Sequence, residues 1–469
     1  MAESEKHVVV IGAGPGGYPA AFHAADLGMK VTLIDPEENP GGVCLYRGCI
    51  PSKALLHAVK MLDEARDAGR YGLEFSDLKL NPDKLREFKE SVVKKLTGGV
   101  GQLCKQRRIE YLRGRAAFED ANTLAVDLHD GDSKKVTFDY AVIATGSLPA
   151  TIPPAIESER VMSSRQALDI GEVPERLLVI GGGYIGLELG QVYAALGSQI
   201  TVVEMLPGLL QGVDAGLVSV LRKRLKKQFD KILLETKAAK MEEVEEGVRV
   251  TFEGRNAPDE PVTFDRVMLA VGRRPNTEGL QPEKAGVELS EKGFVSVNAQ
   301  RRTSQEHIFA VGDVAGEPML AHKGTHEARV AAEAIAGKRT AFDPAVIPFV
   351  IFSDPEIAVA GLTEEQARAE ERDVIVSKFP WAASGRALTI GRTDGLTKVI
   401  ADRETHRVLG VGIAGADAGE MIAEAALAIE MGAVAEDIAL TIHTHPTLGE
   451  TLMEAAEGVS GPMLHFRRQ

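Results

Sequence analysis

The sequence predicts an α/β fold, with two nucleotide-binding βαβ domains in tandem and an α+β module behind them. Three observations predict it. A 24-residue segment occurs twice, the strand-and-turn that would close each domain also occurs twice, and after about residue 348 the texture changes to short strands with a helix. At 469 residues the chain exceeds one ordinary core, so roughly two to four domains are expected.

The repeated segment comes first. "GAGPGGYPAAFHAADLGMKVTLID", Gly12 to Asp35, aligns without a gap with "GGGYIGLELGQVYAALGSQITVVE", Gly181 to Glu204. Each copy opens with G-x-G-x-x-G after an apolar strand ("HVVVI" and "LLVIG"). Each continues as an apolar helix ending in Leu-Gly, then a β-branched strand, then one acid. This is the pattern of a Rossmann-like dinucleotide site. Gly12 and Gly181 permit the tight turn. Gly14 and Gly183 let the backbone approach a pyrophosphate. Gly17 and Gly186 let the helix pack against the strand. The helix N-terminus offers free N–H groups and a partial positive charge to the phosphates. Asp35 and Glu204 each follow the first glycine by 23 residues, where an acid can accept from ribose hydroxyls. One such motif is weak evidence; two with strand, helix and acid in register are strong.

The closing strands come next. "FDYAVIATGSLP" (Phe138–Pro149) and "FDRVMLAVGRRP" (Phe264–Pro275) share F-D-x-x-x-x-A-x-G-x-x-P. Each reads as a buried strand leaving into a Gly/Pro turn. Pro149, Pro153 and Pro154 mark a linker. "HIFAVGDVAG" presents Asp313 just after a glycine, placed either to cap a turn or to bind a hydroxylated ligand. The final third, with "IPFVIFSDPEIAVAG", "LTKVIADRETHRVLGVGIAG" and "GEMIAEAALAIEMG", contains no phosphate loop.

Composition excludes several classes. With 54 basic and 68 acidic side chains the formal charge is −14, the wrong sign for nonspecific nucleic-acid binding. The single Trp381 cannot make a base-stacking platform. There is no signal-peptide pattern at the start and no apolar run of membrane-spanning length. Three cysteines do not make a secreted disulfide framework. A cytoplasmic protein with no anchor is expected.

Chemistry concentrates in two places. In "GGVCLYRGCIPSK", Gly41 to Lys53, Cys44 and Cys49 lie five residues apart, and the third cysteine, Cys104, sits alone in a helical stretch. No second pair with zinc-type spacing exists, so no metal site is expected. A disulfide across so short a loop would stabilise by only roughly 2 kcal/mol. A reversible redox pair fits better, with two unpaired thiols as the alternative. Pro51 suits the first turn of a helix, which would put Cys49 near a helix N-terminus, where a thiolate is favoured. Lys53 shares a face with Cys49 if the helix extends back that far. It would then stabilise a thiolate or a reduced anionic cofactor, or else be a solvated surface charge. In "HTHPTLGE", Thr447 and Glu450 have capping-box spacing. The other reading is a dyad in which Glu450 orients His445 as an acid–base group, with His443 a bystander. At the second nucleotide site, Glu204 is followed by Met205, Leu206, Pro207 and Gly208, and the next basic residue is Arg222. A 2′-phosphate would meet a carboxylate without a guanidinium, which favours NAD over NADP.

These motifs, in order "GAGPGG", "GGVCLYRGCIPSK", "ATGS", "GGGYIGLE", "AVGRRPN", "AVGDVAG…LAHK" and "HTHPTLGE", cover essentially the whole chain. They resemble the flavin-dependent pyridine nucleotide–disulfide oxidoreductases, and within them the members that oxidise dihydrolipoamide. The resemblance implies an FAD-binding domain over 1–150, an NAD-binding domain over 151–277, a central segment 278–348 completing the FAD site, and a dimerisation domain over 349–469. It implies FAD at Gly12, Gly14, Gly17 and Asp35, with Thr145, Gly146, Asp313 and Ala321. It implies NAD at Gly181, Gly183, Gly186 and Glu204, with Gly272. Cys49 would face the flavin and Cys44 the substrate, Lys53 and Glu188 would pair beside the flavin, and His445, oriented by Glu450, would be supplied by the partner subunit of an obligate homodimer. The implied reaction is oxidation of dihydrolipoamide on a lipoyl-carrying protein, with NAD⁺ reduced. The alternative is an NAD(P)H-dependent reductase of a small disulfide such as glutathione disulfide. One departure stands out: the family commonly has Asn-Val between the cysteines, and this chain has Tyr46-Arg47. Arg47 is expected to lower a thiol pKa, to help dock an acidic lipoyl carrier, or to be a plain surface charge.

Overall fold

The computed structural model describes residues 6–76 and 78–467. Its contacts divide the chain into two units. One comprises Met1–Leu55, Asn81–Ala150 and Gly272–Asp343; the other comprises Leu56–Leu80, Thr151–Val271 and Pro344–Gln469.

The first unit is built on a seven-stranded sheet. His7–Ile11 lies inside it, flanked by Lys30–Asp35 and Tyr140–Ile143, with Ile308–Ala310 beyond the latter and Glu110–Asp120 beyond the former. These five run parallel. Val8, Val9 and Val10 are fully buried, the continuous apolar run of a strand covered on both faces. The helix Gly17–Asp26 returns the chain from the first strand to the second, and its small residues Ala20, Ala21 and Ala24 make the buried face.

The second unit repeats the plan with a parallel sheet ordered Lys231–Leu233, Gln199–Val203, Arg176–Ile180, Arg266–Leu269, Val161–Ser163. Its crossover helix is Tyr184–Leu196. The same unit carries a separate antiparallel sheet, ordered Phe349–Ile351, Glu356–Gly361, Val408–Gly415, Leu396–Asp402, Val374–Pro380. Against it lie the helices Ala418–Met431 and Glu450–Ser460. Trp381, fully buried, is the hub of that core. A Cβ on Gly395 or Gly415 would fall 2.2 or 2.3 Å from its ring. Its indole N–H donates to Thr397 Oγ1 (2.9 Å), which bonds Thr451 Oγ1 (2.8 Å) at the start of Glu450–Ser460.

The short segments that follow the two closing strands pair with each other. Ser147–Pro149 pairs antiparallel with Arg273–Pro275, and Leu148 faces Arg274. Equivalent positions of the internal repeat are therefore paired about a local two-fold relation. No helix among the described residues is long and apolar enough to cross a membrane.

Candidate active site

The outer glycines of the two loops make matching contacts. A Cβ on Gly12 would lie 2.4 Å from the Ala144 carbonyl oxygen, and one on Gly181 would lie 2.3 Å from that of Ala270. Each loop is thus pressed against the turn after its closing strand. Gly17 and Gly186 abut the Gly12 and Gly181 carbonyls in the same way. The middle glycines differ. A Cβ on Gly14 would meet only Gly42 Cα at 3.9 Å, and one on Gly183 would meet nothing. The fold does not require glycine there. An unfilled approach to backbone N–H groups at the start of a helix suits a pyrophosphate. Gly146 and Gly272, equivalent in the repeat, both have positive φ (73° and 109°) and open space around them.

The two acids are also equivalent. Asp35 accepts from the N–H of Ala13 (2.7 Å) and of Glu37 (3.0 Å). Glu204 accepts from the N–H of Gly182 and of Leu206, both at 2.8 Å. Each oxygen holds one backbone donor and keeps a further lone pair for a hydroxyl. Burial raises the Asp35 pKa, against the N–H groups of Glu37 and Ala13 and the charge of Arg47.

Around the first site, Thr145 Oγ1 donates to the Asn276 carbonyl (2.6 Å). Asp313 makes no cap; its carboxylate takes the Ser147 hydroxyl, which also accepts from Arg273 Nε (2.7 Å). Ala321 opens the helix Ala321–Ile335. On that helix lies a network the sequence did not suggest. Glu327, fully buried, receives Arg301 Nη1 (2.8 Å), Lys323 Nζ (3.0 Å) and the Gly312 N–H (2.7 Å). It ties the Asp313 turn to the helix. Lys323 and Glu327 stand at i,i+4, a legible spacing, but nothing local reveals that both are buried.

The thiols sit on two consecutive helices. Cys44 is on Gly42–Arg47, and Cys49 is the first residue of Cys49–Arg66. Lys53 therefore shares the first turns with Cys49. The side chains of Cys44 and Cys49 are hydrogen-bonded, and both are thiols here. That bond, then burial, holds the Cys44 pKa far above the ordinary thiol value, while the Cys49 N–H and the charge of Lys53 oppose it. Cys104 is buried. Gly41 N–H donates to the Ala13 carbonyl (2.8 Å), and a Cβ on Gly42 would strike Gly14 Cα at 2.4 Å. The redox segment thus begins in contact with the first phosphate loop.

Tyr46 and Arg47 have partners. The Tyr46 hydroxyl donates to the Asn39 carbonyl (3.0 Å) and accepts from the Asn39 N–H (3.1 Å). Arg47 is ion-paired with Glu37, and both are about three-quarters buried. Arg47 is therefore not a free surface charge.

In the last third, His445 Nδ1 bonds Glu450 Oε1 (2.8 Å), and Glu450 Oε2 accepts from the Thr447 N–H (2.7 Å). No capping box forms: Thr447 Oγ1 donates instead to the Thr444 carbonyl (2.8 Å), and the helix begins only at Glu450. Burial would raise the Glu450 pKa, but the Thr447 N–H and His445 outweigh it and hold the carboxyl below its ordinary value. The imidazole, fixed at Nδ1, is 78 % exposed. Nearby Leu440 and Ile442 are almost fully exposed. His443 is bonded to Glu424 (2.9 Å) and the Thr441 carbonyl (2.8 Å). Glu188 is buried and accepts from the Phe352 N–H (2.9 Å).

Paired nucleotide loops with a dithiol beside the first define a dinucleotide-dependent disulfide oxidoreductase. Residues 6–328 match the pyridine nucleotide-disulphide oxidoreductase family and residues 347–456 its dimerisation domain, and the chain belongs to that family. Among its relatives, the dihydrolipoyl dehydrogenase of Vibrio cholerae is 49% identical over 460 residues, 98% of this chain and 96% of that protein. That of Geobacillus stearothermophilus is 48% identical over 463 residues, 98% of each. Among solved structures, LpdA of Mycobacterium tuberculosis superposes with a TM-score of 0.89 at 26% identity, covering 96% of this chain and 99% of that one. The HOCl-induced flavoprotein disulfide reductase RclA of Escherichia coli gives 0.85 at 27%, covering 96% and 99%.

Proposed function

We infer that this protein oxidises dihydrolipoamide carried on a lipoyl protein to lipoamide and reduces NAD⁺, with FAD and NAD as its cofactors. The observation that carries the reading is the Cys44–Cys49 pair on a segment that starts against the first phosphate loop. FAD would be held by the loop of Gly12, Gly14 and Gly17 with Asp35, Thr145, Gly146, Asp313 and Ala321. NAD would be held by Gly181, Gly183, Gly186, Glu204 and Gly272. When bound, they supply a two-electron acceptor for the dithiol and a hydride acceptor beyond it.

In the oxidised enzyme a substrate thiolate attacks Cys44, forming a mixed disulfide and releasing Cys49. The second substrate thiol then attacks its own sulfur partner and releases Cys44, so two electrons reside on the cysteine pair. His445 takes the substrate protons at Nε2. Glu450 holds Nδ1–H and stabilises the imidazolium. Lys53, on the first turns of the Cys49 helix, keeps a positive charge beside the thiols. His445 serves the second subunit of a homodimer: its ring is oriented yet exposed, and the apolar Leu440 and Ile442 around it need a partner surface. We assign the reaction to the cytoplasm.

The test is NAD⁺ reduction by dihydrolipoamide in parent and Cys44→Ser protein, with NADP⁺ alongside. Loss of roughly a thousandfold or more in the variant is expected, with clear preference for NAD⁺. Thiol-independent turnover would overturn the mechanism, and NADP⁺ preference would overturn the coenzyme assignment.

A further inference from the structure

The helix Gly42–Arg47 is fastened at both ends to the first nucleotide domain. At its start, Gly41 and Gly42 press on Ala13 and Gly14. At its end, Tyr46 and Arg47 grip the loop Glu37–Asn39, which follows the ribose-site acid Asp35 directly. Other elements hold the same loop from outside. Tyr111 donates to the Glu37 carbonyl (2.9 Å) and Arg113 to the Pro36 carbonyl (3.3 Å). The Glu37 N–H is one of the two donors that fix Asp35. Releasing Glu37 therefore loosens the carboxylate that faces the ribose. The Tyr46 hydroxyl reads both backbone groups of Asn39 as a neighbouring strand would, and also bonds Thr97 on the buried side of Pro82–Gln106. Arg47 is paired with Glu37 and turned toward the loop rather than presented as a free surface charge.

We propose that Tyr46 and Arg47 are positioning residues of the flavin site, latching the Cys44 helix to the Glu37–Asn39 loop so that one set of contacts retains the adenosine end of FAD and seats the interchange thiol. The proposal rests on the assignment of FAD to the first loop. It gives the two residues a task inside the subunit rather than at the docking face.

The experiment uses purified holoprotein and follows flavin release as rising flavin fluorescence after dilution. Arg47→Val, Glu37→Gln and the double variant are compared with the parent, and Tyr46→Phe is run in parallel. A partly buried charge-assisted pair predicts release about five- to tenfold faster for either single variant. The double variant should be no faster than the worse single one, because one contact is lost in all three. The KM for the lipoyl carrier and its salt dependence should stay at parental values. Stripped proteins are melted in parallel and should melt alike, which separates weaker flavin retention from unfolding. Unchanged release in all variants, additive effects, or a raised carrier KM with parental flavin release would overturn the latch. A parent that purifies without flavin, or does not rebind it, would instead overturn the assignment of the first loop.

Discussion

Lys398→Met tests the buried charge cluster that fastens the second nucleotide domain to the antiparallel sheet. Lys398 is 2 % exposed and lies 2.6 Å from Asp214 and 2.8 Å from Glu364. Asp214 also caps the helix Ala215–Gln228, accepting from Gly216 (2.9 Å) and Leu217 (3.4 Å). Deleting the ammonium leaves two carboxylates together without their shared cation. Breaking such a pair from one side costs about 3–5 kcal/mol. Asp214 keeps its helix N–H groups, and Glu364 keeps Lys378 (3.0 Å) and Arg368, so the lower end, about 3 kcal/mol, is expected near neutral pH. Burial alone would raise the Glu364 pKa, but hydrogen bonds from Lys398 and then Lys378 more than cancel it and hold the carboxyl down at about 2. The sign follows from a depressed carboxyl. Its stabilisation is complete above the ordinary value of 4.5 and is lost as pH falls toward about 2. Parent and variant should therefore melt roughly 3–5 °C apart near neutral pH and converge between those two values. Circular-dichroism melts across that range are the assay. A gap under roughly 2 °C near neutrality, or a gap of constant size at every pH, would refute the reasoning.

Glu450→Gln keeps an oxygen for the Thr447 N–H but removes the charge behind His445 Nδ1; kcat/KM for dihydrolipoamide should fall roughly 10- to 100-fold at parental melting temperature, and a fall under twofold would remove Glu450 from the proton path. Gly183→Ala meets open space, so it should melt like the parent while the KM for NAD⁺ rises several-fold. Gly12→Ala drives a Cβ into the Ala144 carbonyl at a φ of 95° and should lose about 2 kcal/mol or more. Melting curves and coenzyme titrations distinguish the two, and equal destabilisation would mean that Gly183 is needed by the fold rather than by a ligand.

What was legible in the sequence is what short-range geometry writes into it. The glycine spacings, the acid 23 residues on and the apolar strands each report a backbone requirement met within one βαβ unit, and the repeat made them readable twice. The thiol pair was legible because both partners lie five residues apart, on two consecutive helices. Some assignments stayed open because two local geometries share one spacing. Thr447 and Glu450 fit a capping box until the helix is seen to start at Glu450 itself, whose Oε2 keeps the Thr447 N–H while Oε1 takes His445. Asp313 had the position of a cap and instead receives Ser147, more than a hundred residues away. Only the tertiary structure decided these, and it alone brought Glu327 to Arg301 and Lys398 to Asp214 and Glu364. Burial converts such charges from solvated decoration into fixed contacts, and burial is a property of the packed layers. Tyr46 and Arg47 show the boundary most closely: the sequence marked them as unusual, but their partners at Glu37 and Asn39 depend on how Gly41 and Gly42 seat the helix against the first phosphate loop.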